Sequence, residues 1–285
     1  MTMVKALETV RMMTTTKTKA NTGRLYMAAM PIGNYDDITI RALRELCQAD
    51  LIAAEDTREV KALLRHHEAN KKAKRPRIIR LDEFTVLQQT PQVVATVLQG
   101  GTVVYVSDAG KLVLLLHHCV ICLCASFLHV HFTKPTGTPG INDPGQRLVN
   151  LALEAQIPIS ALPGPSAVSA IASISGFIGV GHEGFVHTGF VPKKGKQRKD
   201  WVELVVVEPR AIVALESKNR IEATLQDISR KFCESCQHQP ARTIVIGKDL
   251  TKRTESIFRG TIQQAIVWVQ RQNSHGEYVM MLSPL

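Results

Sequence analysis

The chain has 285 residues, enough to bury a sizeable core in one or two domains. Apolar residues make up 45% and charged residues 21%, which excludes an intrinsically disordered chain. The formal charge of +10 favours a polyanionic partner, RNA or DNA, over an acidic small molecule.

The opening segment, residues 1–24, carries Lys5, Arg11, Lys17, Lys19 and Arg24 against one acid, Glu8. Rich in base and hydroxyl, it reads as a disordered or targeting extension, such as an organellar transit peptide. Residues 25–30 read as a short buried strand stopped by Pro31 and Gly33. A helix over 39–47 follows, then a strand over 50–54 and a helix over 55–67. The pattern continues with a strand at 77–81, a helix at 91–98 and a strand at 102–106. Beyond a break come a helix at 146–155, a strand at 158–162 and a helix at 166–174. Strands alternating with helices predict an α/β fold, its first domain a mainly parallel sheet with helices on both faces. Glycines at 176, 179, 181 and 184 mark a linker, placing the N-terminal domain at 25–182 and a C-terminal α/β domain at 183–285. Strands at 185–190, 211–215, 243–247 and 278–282, with helices at 219–231 and 261–270, give that domain a mixed sheet.

In open α/β sheets, ligands bind beyond the carboxyl ends of the strands. Three turns fall there: Pro31-Ile32-Gly33-Asn34, Ser107-Asp108-Ala109-Gly110 and Pro163-Gly164-Pro165-Ser166-Ala167. Glycine lets a backbone approach a ligand closely, and proline fixes the path beside it. Taken singly, each is a tight structural turn. Their glycine spacing is not the dinucleotide fingerprint. Glu55-Asp56-Thr57-Arg58 follows the second strand at the same edge. It reads either as acids suited to a helix N-terminus or as a nucleotide site, with Asp56 or Glu55 a proton acceptor and Arg58 a phosphate clamp.

Two basic runs, residues 71–77 and 193–199, suit phosphate contacts, though charge runs are commonly solvated faces. Six cysteines in a chain of this length make no disulfide framework and favour a reducing compartment. Residues 111–137 interrupt a loop that would otherwise read SDAG-TPGINDPG. His117, His118, Cys119, Cys122, Cys124, His129 and His131 fall within the interruption, but not at a zinc spacing. We therefore expect no metal. Four histidines and a position inside a loop also argue against a membrane span there. Codons for Gly110-Lys111 and Thr136-Gly137 can carry splice donor and acceptor signals. Removing the stretch restores the loop in frame. It reads as a translated intron, with a genuine insert as the alternative.

The two halves of that loop, with PIGN, EDTR, PGPSA and the GFVPKKGK run at 189–196, resemble the ribosomal RNA small subunit methyltransferase I family of the tetrapyrrole methylase superfamily. The resemblance spans about Leu25 to Leu282 outside the interruption. It implies S-adenosylmethionine-dependent 2′-O-methylation of a cytidine ribose in small-subunit rRNA, on the rRNA or the small subunit. It also implies cofactor binding in a cleft between two domains, and a homodimer. The cofactor residues implied are Pro31, Gly33, Asn34, Ser107, Asp108, Ala109, Gly110, Asp143, Pro163, Gly164, Pro165, Ser166 and Ala167. The catalytic candidates are Glu55, Asp56 and Arg58. The RNA candidates are Lys193, Lys194, Lys196, Arg198, Ser217 and Arg220; Ser217 and Arg220 keep the pattern of a family segment ESPHR, from which Lys218 and Asn219 depart. Lys248 replaces the arginine of a second family segment, RELTK. The location implied is cytoplasmic, or mitochondrial or plastid if residues 1–24 are a transit peptide. Two alternatives stand beside this reading: a superfamily relative acting on a small molecule or protein, and an inactive RNA-binding protein whose cofactor loop is split.

Overall fold

The computed structural model describes residue 8 and residues 23–67, 76–107, 137–139, 145–179, 184–235, 242–272 and 276–285. The chain forms two compact units, Met1–Pro31 with Tyr35–Gly164, and Ile32–Asn34 with Pro165–Leu285.

The first unit holds β1 (Arg24–Ala28), β2 (Leu51–Ala54), β3 (Arg77–Arg80), β4 (Thr102–Val106) and β5 (Ile159–Leu162) in the order β3-β2-β4-β1-β5. Every pairing is parallel. The helices are α1 (Ile40–Gln48), α2 (Thr57–His66), α3 (Val86–Leu98) and α4 (Gly145–Glu154). Alternate strand residues face opposite sides. Leu25, Met27, Leu51, Ala53, Val103 and Tyr105 pack with Val93, Val97 and Leu148 of α3 and α4. Tyr26, Ala28, Ile52, Ala54, Val104 and Val106 pack with Ala42, Leu46, Val60 and Leu63 of α1 and α2. A sheet buried on both faces needs near-continuous apolar strands, which is what LIAA and TVVYV supply.

Two helix starts of this unit, those of α1 and α2, have side-chain caps. Thr39 Oγ1 accepts from Ala42 N at 3.1 Å, and Asp56 Oδ1 from Arg58 N at 2.8 Å. One start differs from expectation: α3 begins at Val86, and Pro91 lies inside it. Asp82 Oδ1 accepts from Phe84 N at 3.0 Å and Thr85 N at 2.8 Å, so a capped turn precedes the proline and starts the helix early.

The second unit holds β6 (Phe185–Phe190), β7 (Ala211–Ser217), β8 (Thr243–Lys248), β9 (Ser256–Thr261) and β10 (Glu277–Leu282), ordered β6-β7-β10-β8-β9. β6 and β7 run parallel and the other pairs antiparallel, a mixed sheet. α6 (Gly195–Val207), α7 (Lys218–Ser235) and α8 (Ile262–Gln270) cover one face, where Trp201, Val205, Ile221, Leu225, Ile262 and Ala265 meet Ile212, Ala214, Ile246 and Met280. α5 (Ala167–Ser175) covers the other, placing Val168 and Ile171 with Val213, Val245, Val279 and Met281. α5 therefore belongs to the second unit, and the division falls at 164/165 rather than at the glycine-rich stretch. α6 and β9 were not expected. Among the described residues, no helix is long and apolar enough to cross a membrane.

Residues 1–7 and 9–22 of the extension, the run 71–75 and the interruption from 111 to 136 lie outside the described residues.

Candidate functional site

The parallel register sets the carboxyl ends of four strands level. Ala28 pairs with Val106 and Leu162, and Ala54 also pairs with Val106. The ladder runs one step further. Ala29 N donates to Leu162 O at 3.0 Å, and Glu55 N to Val106 O at 3.4 Å. Met30 and Pro31, Glu55 and Asp56, Ser107, and Pro163 and Gly164 therefore leave the sheet along one edge of the first unit.

On that edge, Asp56 ends β2's exit and starts α2. Its carboxylate accepts from Arg58 N and from the Arg58 guanidinium, with Nη2 2.5 Å from Oδ2 and Nε 2.9 Å from Oδ1. Asp56 thus caps a helix, and the same carboxylate holds the Arg58 side chain beside it. The Arg58 side chain is 75% exposed, so its outer face meets solvent.

The expected cofactor residues divide between the units. In the first, Ser107 is 2% exposed, and its Oγ has no partner among the described residues. A buried hydroxyl left unpaired is costly and points to a ligand group that would complete it. Gly164 lies close to β1's end, where an added Cβ would stand 3.0 Å from Ala29 Cβ. Pro31 is buried, while Pro163 is exposed. Met30 N donates to Gly137 O at 2.8 Å, so the chain rejoins this edge where the interruption ends. Asp108, Ala109, Gly110 and Asp143 lie outside the described residues.

In the second unit, an added Cβ at Gly33 would lie 2.5 Å from Lys252 Cγ and 2.7 Å from Leu250 O. Gly33 is therefore required by its packing on the turn after β8. That turn has left-handed backbone at Asp249 (φ 51°) and Thr251 (φ 65°), held by Asp249 Oδ1 accepting from Glu277 N at 3.1 Å. Asn34 is exposed beside Gly33. Pro165, Ser166 and Ala167 lead into α5, with Ser166 as its N-cap residue; its carbonyl accepts from Ala170 N at 2.8 Å.

Lys193 and Lys194 are exposed on the loop from β6 into α6, and Lys196 is exposed in the first turn of α6. Together with Arg198 and Lys199 of α6 and Arg230 and Lys231 of α7, the two loop lysines line a groove of about 440 Å³ that Glu203, Asp227 and Glu234 also line. Arg198, Ser217 and Arg220, expected to touch RNA, have partners inside the protein. Their side chains bond within the protein, Arg198 to Asp227 and Pro192 O, and Arg220 to Ser217 Oγ, Glu216 and Val191 O. Partial desolvation and the nearby Arg220 guanidinium hold the Lys193 pKa below its ordinary value.

Residues 24–266 match the family model of the tetrapyrrole (corrin/porphyrin) methylases. The chain belongs to that family. Among its relatives, it is 34% identical over 262 residues to the ribosomal RNA small subunit methyltransferase I of Escherichia coli O157:H7, covering 91% of this chain and 77% of the relative. It is 31% identical over 261 residues to the protein of the same name from Thermotoga maritima, covering 92% and 98%. A cobalt precorrin-4 methyltransferase structure superposes with a TM-score of 0.60 at 13% identity, covering 91% of this chain and 94% of that one. A uroporphyrin-III-C-methyltransferase from Thermus thermophilus gives 0.56 at 16%, covering 92% and 94%. These two likenesses show the fold alone.

The methylase also holds a grouping that the sequence reading missed. Asp36, His66 and His67 bring one ligand atom each to within 4.8 Å of one another, a set able to hold a metal ion. His66 Nε2 lies 2.9 Å from Asp36 Oδ1, and His67 Nε2 lies 2.9 Å from Tyr35 O. The signal, an acid and a distant His-His pair, becomes local only once α2 packs beside the 3-10 turn at Tyr35–Asp37. In the second unit, no local pattern announces the buried Arg242, which donates to Arg210 O at 3.1 Å, Ser283 O at 2.8 Å and Glu208 O.

Proposed function

We propose that this methylase transfers a methyl group from S-adenosylmethionine to the ribose 2′-hydroxyl of a cytidine in small-subunit rRNA. One observation carries the reading: the level register of Ala28, Ala54, Val106 and Leu162, which gathers the acid pair and the buried Ser107 hydroxyl on one edge. The names of the relatives supply the rRNA. The +10 charge and the exposed Lys193, Lys194 and Lys196 suit that polyanion better than a small molecule.

The residues present fit the cofactor. Ser107 Oγ awaits a polar partner, and the backbone at Gly164 runs close against Ala29. Ser107, Pro163 and Gly164 of the first unit would hold it. When bound, S-adenosylmethionine supplies an electrophilic methyl group. The protein's part is to orient the ribose hydroxyl and take its proton. Asp56, or Glu55 beside it, accepts that proton. Arg58, aimed by Asp56 and largely exposed, clamps a substrate phosphate. Such an enzyme works in the compartment that holds the small subunit.

Mapping of ribose methylation in small-subunit rRNA, with the gene present and deleted, tests the reading. One 2′-O-methylcytidine should vanish on deletion. An unchanged map would contradict the proposal.

A further inference from the structure

Two successive carbonyls of the loop that carries Lys193 and Lys194 are each gripped by an arginine from a different helix. Arg220 of α7 donates through Nη1 to Val191 O at 3.1 Å. Arg198 of α6 donates through Nη1 to Pro192 O at 3.2 Å. Both guanidiniums trace back to one carboxylate. Glu216, at the end of β7, is 0% exposed. Its Oε1 lies 2.7 Å from Arg220 Nη2 and accepts from Ser217 N at 2.5 Å. Its Oε2 accepts from Thr224 Oγ1 at 2.8 Å, and Thr224 Oγ1 in turn accepts from Arg198 Nη2 at 3.1 Å. Asp227 completes the set, 2.7 Å from Arg198 Nη2 and 2.5 Å from Arg230 Nη2.

A buried ion pair is a poor way to gain stability, because desolvation offsets most of the attraction. Apolar residues would fill the same space as well. What the charged set adds is direction: a planar guanidinium reaches a carboxylate and a carbonyl at fixed angles, as a lysine cannot. Each arginine here uses one edge on an acid and another on the loop backbone.

We propose that Glu216 is the positioning residue of the RNA-facing loop. Directly through Arg220, and by way of Thr224 through Arg198, it fixes the backbone at Val191–Pro192 and hence the placement of Lys193 and Lys194. The effect is on affinity for rRNA rather than on methyl transfer. This rests on the reading of those lysines as RNA contacts. The lowered pKa of Lys193, from partial desolvation and the nearby Arg220 guanidinium, agrees with a loop held close to Arg220.

The sign of one substitution separates positioning from simple charge. Glu216→Gln removes a negative charge beside a basic loop, which by Coulomb attraction alone would tighten RNA binding. Loss of positioning weakens it. The test is binding of the full chain to a small-subunit rRNA fragment over a range of salt, with cofactor calorimetry and steady-state kinetics alongside. The double variant Lys193→Ala/Lys194→Ala should weaken binding and flatten the log–log salt slope by roughly one to two. Glu216→Gln should raise the RNA Kd and KM about tenfold, with cofactor affinity kept. An RNA Kd unchanged or lowered in Glu216→Gln, while the lysine variant behaves as stated, overturns the positioning role and leaves the RNA reading intact. A lysine variant that binds RNA normally overturns the RNA reading, and the inference with it. If Glu216→Gln does not fold, Thr224→Val cuts only the branch to Arg198. It should then raise the RNA Kd by about threefold, and an unchanged Kd would overturn the inference.

Discussion

The carboxylates of Asp56 and Glu216 each meet an arginine a few residues on, at the end of a strand in its own unit. In the first pair the side chains are 75% exposed for Arg58 and 10% for Asp56; in the second they are 25% exposed for Arg220 and 0% for Glu216. The N–O distances are similar, 2.5 Å and 2.7 Å. An exposed pair is worth little to stability and exchanges partners readily, so Arg58 can turn to a substrate phosphate. A buried pair is expensive to disturb, because either partner left alone is an uncompensated charge. The same chemical motif thus serves reaction at one strand end and architecture at the other.

The sharpest way to break this comparison is Asp56→Asn. Asparagine caps a helix about as well as aspartate, so α2 should keep its start and the unfolding free energy should hold within about 0.5 kcal/mol. A proton acceptor is lost, and methyl transfer should fall by about two to four orders of magnitude. Rate assays and urea titration read the two effects, and a near-normal rate would pass the role to Glu55. Glu216→Ala should do the reverse. It strands Arg220 and the Thr224 hydroxyl, and should lower stability by about 3–5 kcal/mol in urea unfolding. A loss below about 1 kcal/mol would show that the two pairs do not differ as argued.

Smaller effects sharpen the cofactor side. Removing residues 111–137 lets Gly110 take the place of Gly137 at Met30 N. By rejoining the loop, this should tighten cofactor binding by about one to two orders of magnitude in calorimetry. Equal affinities would show that the interruption is harmless. Ser107→Ala should raise the cofactor Kd by about three- to tenfold and leave the melting temperature unchanged or slightly higher, since the hydroxyl has no partner within the described fold. A lower melting temperature with unaltered affinity would assign Ser107 to structure.

Much of the first unit was legible because its strands are apolar runs ended by glycine, proline or acid, and its helices are announced by Thr39 and Asp56. The sequence placed the right turns at strand ends; only the register made those ends level. α6 was hidden because its first turn, residues 195–199, reads as a charge run, although Trp201, Val202, Val205 and Val206 follow at helical spacing. β9 was hidden because it is an edge strand with weak burial. Arg198 and Arg220 read as RNA contacts, since nothing local says that their acceptors include the carbonyls of Pro192 and Val191. Gly33 has a packing partner far along the chain, at 250–252, which no local pattern announces.

The most direct test of the account is the product of the purified protein itself. Small subunits from cells lacking the gene would be incubated with S-adenosylmethionine and the chain, with and without residues 111–137, and the rRNA digested to nucleosides. The account predicts a gain of 2′-O-methylcytidine in at least the shortened form, lost in Asp56→Asn. Methyl incorporation on a base, or none from a protein that binds the cofactor, would contradict it.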